Sequence, residues 1–420
     1  MNEAILRQPR TQDCAAPASG ASARPSLWLA RLAVRNFRCY AHAEVSADAR
    51  PVVLTGPNGA GKTNLLEAIS FLAPGHGLRR ARLGEVDRRA PAVPGAPAGP
   101  WAVAATVMTP EGPREIGTGR EPAAEQDGAG RAPERRVVKI DGAFVRGQQS
   151  LGAIVRMVWL TPQMDGLFRE GPAGRRRFLD RLVYGFDPAH AGRVSAYEQS
   201  LRERARLLKA GRGDDAWLGA LEDSMARHGV AIAAARRNLV ARLAEACTHR
   251  VGPFPVARPG LAGEVESWLD EMPALDAEER LRARLAGTRG RDAESGGAAL
   301  GPHRSDLSVR HLASDLPAEV CSTGEQKALL LSIVLAHARL LALDHGGAPL
   351  LLLDEVAAHL DRARRLALYE EVLSLGAQAW LTGTDAAVFA PLGEAARFFR
   401  VADAAVRPAA PPRAATPAPA

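Results

Sequence analysis

Hydrophobic and polar positions divide this chain of 420 residues into three parts with different periods. Up to about Arg146, short β-branched apolar runs alternate with turn residues, and this pattern predicts strands. A tight hairpin turn is predicted at Asp141–Gly142, and the segment between Leu72 and Trp101 is predicted to be a loop or lid. The predicted strands are LWLARLAVRNF, PVVLTG, WAVAATVMT and RVVKIDGAFV, with a further candidate at REIGTG.

The middle of the chain has a helical period. From Arg175 the apolar residues recur at steps of three, four and seven, which predicts one apolar stripe on each of several helices. We expect these helices to pack side by side over about 166–296 as a helical lobe, or short antiparallel coiled coil. Trp217 and Met225 are interpreted as core residues of this lobe. The stripes are Phe178, Leu179, Leu182 and Val183, then Tyr197, Leu201, Ala205 and Leu208, then Trp217, Leu221, Met225, Ile232, Ala235, Leu239 and Leu243.

The last part returns to an α/β pattern. The continuous apolar run 350–353 is typical of a strand that is buried on both faces of a parallel sheet. A long apolar helix is predicted after the sequence CSTGEQ, which begins at Cys321. The pattern therefore predicts an α/β head built from residues 27–165 and 297–404, with the helical lobe inserted between them. Residues 1–26 and 405–420 are rich in Ala, Pro and Arg and are predicted to be disordered.

Composition narrows the class of protein. A net charge of +7 and a pI near 9.7 are compatible with an anionic partner. The four cysteines, Cys14, Cys39, Cys247 and Cys321, lack C-x-x-C spacing, so neither a disulfide framework nor a zinc site is predicted. No apolar run approaches the roughly 18 to 20 residues of a membrane span, and the N-terminus lacks an apolar signal core. We therefore expect a soluble cytoplasmic protein without a membrane partner.

The sequence GPNGAGKT, residues 56–63, predicts a nucleotide-binding loop. It fits the pattern G-x-x-x-x-G-K-[ST] and lies between a predicted strand and a predicted helix. In such a loop the backbone N–H groups converge on phosphate oxygens at the positive end of the helix. Lys62 is expected to neutralise the outer phosphates, and Thr63 to offer its hydroxyl to Mg²⁺. The residues predicted to bind a nucleoside triphosphate are Gly56, Pro57, Asn58, Gly59, Ala60, Gly61, Lys62 and Thr63.

Two further features predict the rest of a nucleotide site. Asp354 and Glu355 directly follow the apolar run 350–353, and two acids at the end of a buried strand are costly unless they meet a cation. We expect Asp354 to contact the Mg²⁺ shell and Glu355 to act as general base toward a water molecule. Ser322 and the backbone of Gly324 open the long apolar helix and form a second anion-binding helix end. Two phosphate-binding helix ends in one chain suggest a site that is completed by two protomers.

Four motifs together resemble those of the ATP-binding-cassette ATPases, namely GPNGAGKT, STGEQ, LLLLDE and the following HLD. The helical insertion between the first and last motifs is similar to the chromosome-maintenance and recombination-repair branch of that class. Over about residues 27–404, the chain more closely resembles the RecF family of bacterial DNA replication and repair proteins. The segments that carry this resemblance are VRNFRCY (34–40), GPNGAGKTNLLEAI (56–69), GPAGRRRFLDRLV (171–183), YEQSLRERARLLK (197–209), the run 214–240 and GPHRSDL (301–307).

The resemblance implies a P-loop ATPase head of mixed sheet, flanking helices and an antiparallel β part. It also implies an ATP-dependent homodimer that binds single-stranded or gapped DNA and promotes recombinase loading with a RecR-type mediator. The biological setting would be recombinational DNA repair, replication restart and the SOS response. ATP hydrolysis is expected to be slow and stimulated by DNA.

Residue by residue, the same resemblance implies that Lys62, Asp354 and Glu355 are catalytic, with ATP and Mg²⁺ as cofactors. Ser322 and Gly324 would contact the γ-phosphate on the partner protomer, and Asp361 would bridge the two protomers. Gln163, in LTPQMDGLF, departs from the family, whose members have an acidic residue at this position, and the resemblance to the wider ATPase class implies that it is a metal-contacting glutamine. The chain departs from the wider ATPase class after the acid pair, where WLTGTDAAVF offers Thr384 and Asp385 in place of a switch histidine.

Residues that would contact DNA are less sharply defined. Segment 169–212 has eleven Arg and Lys against five Asp and Glu, and either a solvated face or a DNA-facing groove accounts for this charge. The first candidates are the arginines of RRR at 175–177 with Arg204 and Arg206, followed by Arg79, Arg80 and Arg82. His303 and Arg304 could touch nucleotide, DNA or the signature helix, or belong to a buried turn held by Asp306.

Three alternative functions also require a nucleotide-binding loop. A transporter ATPase subunit normally keeps the switch histidine and has a much shorter gap between its first and last motifs. A structural clamp of chromosome-maintenance type needs coiled coils of hundreds of residues, whereas only about 120 are present in this insertion. A small-molecule kinase would not need residues 322–326.

Overall fold

The computed structural model describes residues 27–88, 99–121, 135–211 and 214–412. The predicted disordered segment 1–26, with Cys14, lies outside these ranges. The strands are β1 (Trp28–Phe37), β2 (Tyr40–Ser46), β3 (Val52–Thr55), β4 (Ala102–Thr109), β5 (Gly112–Arg120), β6 (Arg136–Ile140), β7 (Ala143–Val145), β8 (Met157–Leu160), β9 (Ala257–Ala262), β10 (Asp306–His311), β11 (Leu316–Pro317), β12 (Leu350–Leu353), β13 (Ala379–Gly383), β14 (Arg397–Ala402) and β15 (Ala405–Ala409).

Helices flank these strands and fill the middle of the chain. They are α1 (Lys62–Ser70), α2 (Gln149–Ile154), α3 (Pro172–Tyr184), α4 (His190–Ala210), α5 (Asp215–Thr248), α6 (Glu264–Glu271), α7 (Ala274–Gly287), α8 (Arg289–Ser295), α9 (Thr323–His345) and α10 (Arg362–Ser374).

A six-stranded sheet in the order β15-β14-β3-β13-β12-β8 forms the centre of the head, and its strands pair in parallel except for β15. Strands β3, β8 and β12 are buried along their whole length, because this sheet is covered on both faces. One face packs with the side chains of α3, α9 and α10. The other packs with α1 and with the antiparallel sheet β2-β1-β4-β5-β6-β7. The structure thus confirms the predicted α/β head with an antiparallel β part.

The helical lobe is built on α4 and α5, an antiparallel pair joined near Gly211. Helix α5 has 34 residues, about 50 Å at 1.5 Å per residue. The lobe also contains β9, which the helical pattern did not predict and which pairs with β10 in the order β11-β10-β9. The interpretation of Trp217 as core is wrong, because its side chain is 51% exposed, whereas Met225 is fully buried.

Two other expectations from the sequence need correction. Residues 405–409, predicted to belong to a disordered tail, form β15, which pairs antiparallel with β14, and residues 413–420 lie outside the described ranges. Helix α9 is long and apolar enough to cross a membrane by length and composition, contrary to the expectation from apolar runs. Most of that helix is buried, and its side chains form much of the core beneath the central sheet.

Candidate nucleotide-binding site

The loop between β3 and α1 adopts a backbone that only glycine permits at two critical positions. Gly56 has φ +155°, and an added Cβ would lie 2.0 Å from the carbonyl oxygen of Val401. Gly61 has φ +113°, and its Cβ would lie 2.5 Å from the Tyr40 hydroxyl, which donates to the Gly61 carbonyl. Larger residues would force the loop away from the sheet. The spacing of glycines in GPNGAGKT therefore follows from close packing as well as from phosphate binding.

Lys62 begins α1 and is buried within the loop. Its Nζ donates to the carbonyl oxygens of Gly56 at 2.8 Å and Pro57 at 3.0 Å. Burial lowers the pKa of Lys62, while Glu355 and Asp354 act in the opposite direction. Gly61, the N-cap, has no side chain to satisfy the free N–H groups of the first turn. A lysine and these N–H groups at one helix end form a site for an anion such as a phosphate chain.

Asp354 lies across from this helix end, at the carboxyl edge of the central sheet. Its Oδ1 accepts hydrogen bonds from Thr63 Oγ1 at 3.0 Å and Thr382 Oγ1 at 2.7 Å. The side chain is buried, and burial raises its pKa, with the two hydroxyl groups opposing that shift. The structure thus brings together Thr63 and Asp354, which are 291 positions apart and were both predicted to serve Mg²⁺.

The oxygens of Thr63 and Asp354 suit Mg²⁺, a hard cation that binds carboxylate and hydroxyl oxygens. Among the described residues, no group of three or more His, Cys, Asp or Glu side chains could hold a metal ion. This agrees with Mg²⁺ sites in which one or two protein oxygens share the ion with substrate phosphates and water. The donor set therefore fits a nucleotide-bound Mg²⁺ and not a cage made by protein alone.

Glu355 has a left-handed backbone conformation, with φ +52°. Such a conformation is uncommon for a residue other than glycine and needs support from its surroundings. Its N–H donates to Thr382 Oγ1 at 2.9 Å, so Thr382 contacts both members of the acid pair. Sequence reasoning missed Thr382, which is the last residue but one of β13, the strand that pairs in parallel with β12.

Gln163 lies in the turn Pro162–Gly166, directly after β8. Because β8 pairs in parallel with β12, with Leu160 opposite Leu353, this turn and Asp354 share the same edge of the sheet. Gln163 is exposed. Its predicted contact with a metal ion stays a prediction.

A buried carboxylate behind the loop was also missed. Glu67 on α1 is fully buried and accepts two hydrogen bonds from Arg38, at 2.6 and 2.8 Å. Arg79 donates to Glu67 at 3.1 Å and to Asn64 at 2.7 Å. These contacts fix the turn after β1 and the segment after α1 against the first turns of α1. The sequence contains a signal for this cluster, because Glu67 is an acid on the apolar face of a predicted helix. The arginines that could pair with it lie in VRNFRCY and GLRRAR.

The second predicted helix end is exposed. Ser322 is the N-cap of α9 and forms a capping box with Glu325. Its hydroxyl accepts from the Glu325 N–H at 3.3 Å and donates to Glu325 Oε2 at 2.7 Å. Gly324 faces open space, since an added Cβ would meet nothing within 4 Å. In the described part of the chain, neither Ser322 nor Gly324 forms a hydrogen bond with residues 56–63.

Asp361 and Asp385 are helix N-caps, and Thr384, the other residue at the switch position, directly precedes Asp385. Asp361 is the N-cap of α10 and accepts from the Arg364 N–H at 2.8 Å. Thr384 and Asp385 are exposed, and Asp385 accepts from the Ala387 N–H at 2.9 Å. None of the three side chains bonds to the acid pair.

The arginines proposed for DNA have diverse environments. Arg204 is buried and paired with Glu222 and Asp292, each at 2.9 Å, so its prediction as a DNA contact is wrong. Arg175 is paired with Asp306 at 2.7 Å. Charged side chains that are already paired and buried cannot also follow a phosphate backbone. Among the described residues, Arg80, Arg82 and Arg177 are exposed and form no ion pair, whereas Arg176 donates to the Ser305 carbonyl and Arg206 pairs with Glu203.

The GPHRSDL segment is a packed turn. His303 is hydrogen-bonded through Nδ1 to the Tyr197 hydroxyl at 2.6 Å and through Nε2 to the Ala298 carbonyl at 2.9 Å. Arg304 donates to the same carbonyl at 3.0 Å. Burial lowers the pKa of His303. Of the two readings left open by the sequence, the structure favours the buried turn that joins lobe and head.

The chain is similar to known proteins over most of its length. The sequence model of the RecF/RecN/SMC N terminal domain matches residues 28–403. The DNA replication and repair protein RecF of Mesorhizobium japonicum is 49% identical over 383 residues, which cover 90% of this chain and 97% of the relative.

Solved structures share the fold. The recombination mediator protein RecF-ATPrS in the RecFOR pathway superposes with a TM-score of 0.77 at 21% identity, covering 93% of this chain and 100% of the other. The RecF-ATP structure of the same pathway gives a TM-score of 0.75 at 23% identity, covering 92% and 100%. At these identities the structural likeness concerns the fold alone.

Proposed function

The chain belongs to the RecF family of DNA replication and repair proteins, and we propose that it is an ATP-dependent DNA-binding protein of recombinational repair and replication restart. The observation that carries the ATP-dependent part is the contact between Thr63 and Asp354 beside the buried Lys62. Three residues from two distant motifs meet at the carboxyl ends of β3 and β12, two parallel strands on either side of β13, and nucleotides bind at this edge of α/β sheets.

Each residue of this site has a separate role in the proposal. The phosphates bind to the N–H groups of residues 59–63 and to the side chain of Lys62. To bind them, Lys62 breaks its hydrogen bonds to the loop carbonyls. Thr63 and Asp354 hold Mg²⁺, with Gln163 as a further contact. When bound, the metal ion neutralises charge on the transferring phosphate. Glu355 orients and deprotonates the attacking water, as a general base must.

The proposal includes a homodimer that closes on ATP. The exposed Ser322 and Gly324 offer N–H groups and a hydroxyl that no phosphate of the same chain reaches. A second copy related by two-fold symmetry would place this helix end against the triphosphate of its partner, giving two identical sites. Asp361 would lie between the two copies.

The DNA-binding part rests on family membership and on charge. Relatives are DNA replication and repair proteins by name, and the solved RecF structures belong to a pathway that includes recombination mediators. A RecR-type mediator and single-stranded or gapped DNA are the partners we propose. The single α4–α5 pair, whose longer helix has 34 residues, is too short for a clamp with extended coiled-coil arms.

ATP turnover measured with and without gapped DNA tests the proposed function. We expect slow hydrolysis that increases when gapped DNA is added, and loss of both activities in Lys62→Ala. A Glu394→Gln variant removes an exposed charge on the opposite edge of the head and serves as the control. Equal turnover with and without DNA, combined with no DNA binding in the presence of ATP, would reject the proposal.

The shared site has its own test. Lys62→Ala lacks a working loop but keeps its signature helix, whereas Ser322→Arg keeps the loop and blocks the site of its partner. Each variant alone is expected to stay largely monomeric with ATP, and a mixture is expected to regain part of the ATP-dependent dimer, because each heterodimer has one intact site. Sedimentation at high ATP and protein concentrations measures this recovery. A mixture that behaves as the sum of its parts contradicts the shared site.

A further inference from the structure

A second cavity lies beside the nucleotide site but contains no residue of the phosphate loop. It has a volume of 430 Å³ and lies between segment 74–80, the end of β8, and helices α3 and α4. Its size is within the range of small-molecule sites, about 300–1,000 Å³. Apolar and aromatic side chains line much of it, among them Trp159, Phe178, Tyr184 and Val194.

Three arginines in this cavity have no counter-ion. Arg80, Arg177 and Arg181 all line it, and none forms an ion pair with a carboxylate in the described part of the chain. Arg80 lies on the loop before β4, and the other two lie four positions apart on α3, so they share one face of that helix. Like charges that converge without a carboxylate repel one another unless an anion joins them.

The carboxylates that line the cavity do not neutralise these arginines. Asp180 is fully engaged by Arg236, through two bonds of 2.8 Å, and by His190 at 2.9 Å. Glu198 lines the cavity but is exposed and lies 3.6 Å from Arg202, and it forms no ion pair with the three arginines in the described part of the chain. Glu170 is also exposed, at the rim. The interior of the cavity therefore keeps a positive charge.

Arg181 is the deepest of the three arginines. Its Nε is buried and has no hydrogen-bond partner, and the indole Nε1 of Trp159 beside it is buried and unpartnered as well. The guanidinium carbon lies 4.5 Å from the centre of the Trp159 ring. Burial, with the nearby charge of Arg80, lowers the pKa of Arg181 to about 9, so the side chain stays cationic at neutral pH. A guanidinium group that is buried without a carboxylate is costly, and an anion in the cavity beside it would offset that cost.

We propose that this cavity binds the phosphate group of a nucleotide, held by Arg80, Arg177 and Arg181, with its organic part against the apolar wall. The planar guanidinium group matches phosphate oxygens in a bidentate manner, which favours phosphate over a spherical anion. The nucleotide is either the terminal nucleotide of a DNA strand or a free mononucleotide, since both present the same phosphate. This site borders the ATP site, since Gln163 lines the cavity, but it contains no residue of the phosphate loop, and the inference goes beyond the proposed function.

The test compares oligonucleotides that differ only in a terminal phosphate. Fluorescence anisotropy with saturating Mg²⁺ and ATP, so that the phosphate loop is filled, measures the binding of strands with and without a 5′- or 3′-phosphate. We expect the phosphate to strengthen binding roughly tenfold or more, the value of a charge-assisted hydrogen bond. Arg181→Met keeps the packing on Trp159 and should abolish this difference. Arg400→Met, which removes an exposed charge on β14, should keep it.

A second arm titrates dAMP by calorimetry under the same conditions, to detect a free mononucleotide. Arg177→Gln, at an exposed position, replaces Arg181→Met if that variant does not fold. Loss of phosphate-dependent binding in either arm, confined to the cavity variants, supports the proposal. Equal behaviour of all variants in both arms overturns it. Binding of the strand without phosphate reports separately on the proposed DNA-binding function, so the two can fail independently.

Discussion

Replacing Thr382 by valine tests whether one hydroxyl group holds the acid pair in place. The Thr382 hydroxyl donates to the buried Asp354 carboxylate at 2.7 Å and accepts from the Glu355 N–H at 2.9 Å. Valine has nearly the same shape and makes neither bond. Thr63 then remains as the single hydroxyl donor to Asp354, and the left-handed backbone of Glu355 loses its anchor.

The magnitude follows from these two bonds. A lost bond to a charged buried group costs about 1.5–3 kcal/mol, and a lost neutral bond about 1 kcal/mol. We therefore expect Thr382→Val to lower the free energy of unfolding by about 2–4 kcal/mol in the absence of nucleotide. ATP turnover should fall as well, because Glu355 is no longer held at the end of β12. Urea unfolding and steady-state hydrolysis measure the two effects.

Two matched variants make the result interpretable. Thr382→Ser keeps the hydroxyl and is expected to remain close to the wild type in both assays. Thr384→Val alters an exposed threonine two positions further on, and its stability should change by no more than about 0.5 kcal/mol. If Thr382→Val unfolds at the same urea concentration as Thr384→Val, the hydroxyl does not support the acid pair and the reasoning is refuted.

Two further substitutions test buried charges. Burial raises the pKa of Asp354, so the stability linked to its protonation is present at low pH and is lost as pH rises through the folded-state pKa. Asp354→Asn should therefore be more stable than the wild type at neutral pH without nucleotide, and the difference in free energy of unfolding should disappear on acidification. Mg²⁺ and ATP should no longer stabilise the variant. A difference in stability that does not depend on pH would contradict this. Arg204→Met removes the cation paired with buried Asp292 and leaves Glu222 with Arg289 as its remaining cation. It should cost about 3 kcal/mol, the lower end of the range for a broken buried ion pair. Arg206→Met at an exposed position should cost almost nothing, and equal unfolding midpoints would contradict the buried role.

Local patterns predicted the head and the phosphate-binding part of the site. The glycines of GPNGAGKT and the run 350–353 with its acid pair are contiguous in sequence, and each has one physical explanation at its own position. The order of strands in the structure then explains why Thr63 lies beside Asp354, since both follow parallel strands of one sheet. The role of Thr382 could not be predicted from the sequence, because it depends on which strand lies next to β12. A threonine after an apolar run does not by itself indicate a functional site.

Errors arose where burial is decided by distant parts of the chain. Arg204 was read as a solvent-facing cation, yet its partners Glu222 and Asp292 lie 18 and 88 positions away. Trp217 continues the apolar stripe of α5, but it lies in the first turn, where the fold leaves it 51% exposed. The composition of residues 405–409 is typical of disordered segments, but these residues are ordered because they pair with the edge of β14. In each case tertiary context overrides a correct local pattern.

The two helix ends of the proposed ATP site differ in how far one chain completes them. Lys62 and Asp354 are buried, and each is already hydrogen-bonded to other groups of the same site. A nucleotide and a metal ion would therefore replace existing contacts, and the positions of these side chains are fixed before binding. Ser322, by contrast, is exposed and satisfied only by Glu325 of its own helix. A single chain can therefore bind the nucleotide through Lys62 and Asp354. In the proposed dimer, the groups that would surround the γ-phosphate come together only when a second chain supplies the helix end at its Ser322. If the proposed dimer forms in this way, we expect hydrolysis to stay slow until dimerisation completes the site, and we expect any partner that favours the dimer, such as DNA bound across both copies, to raise the rate without touching the nucleotide.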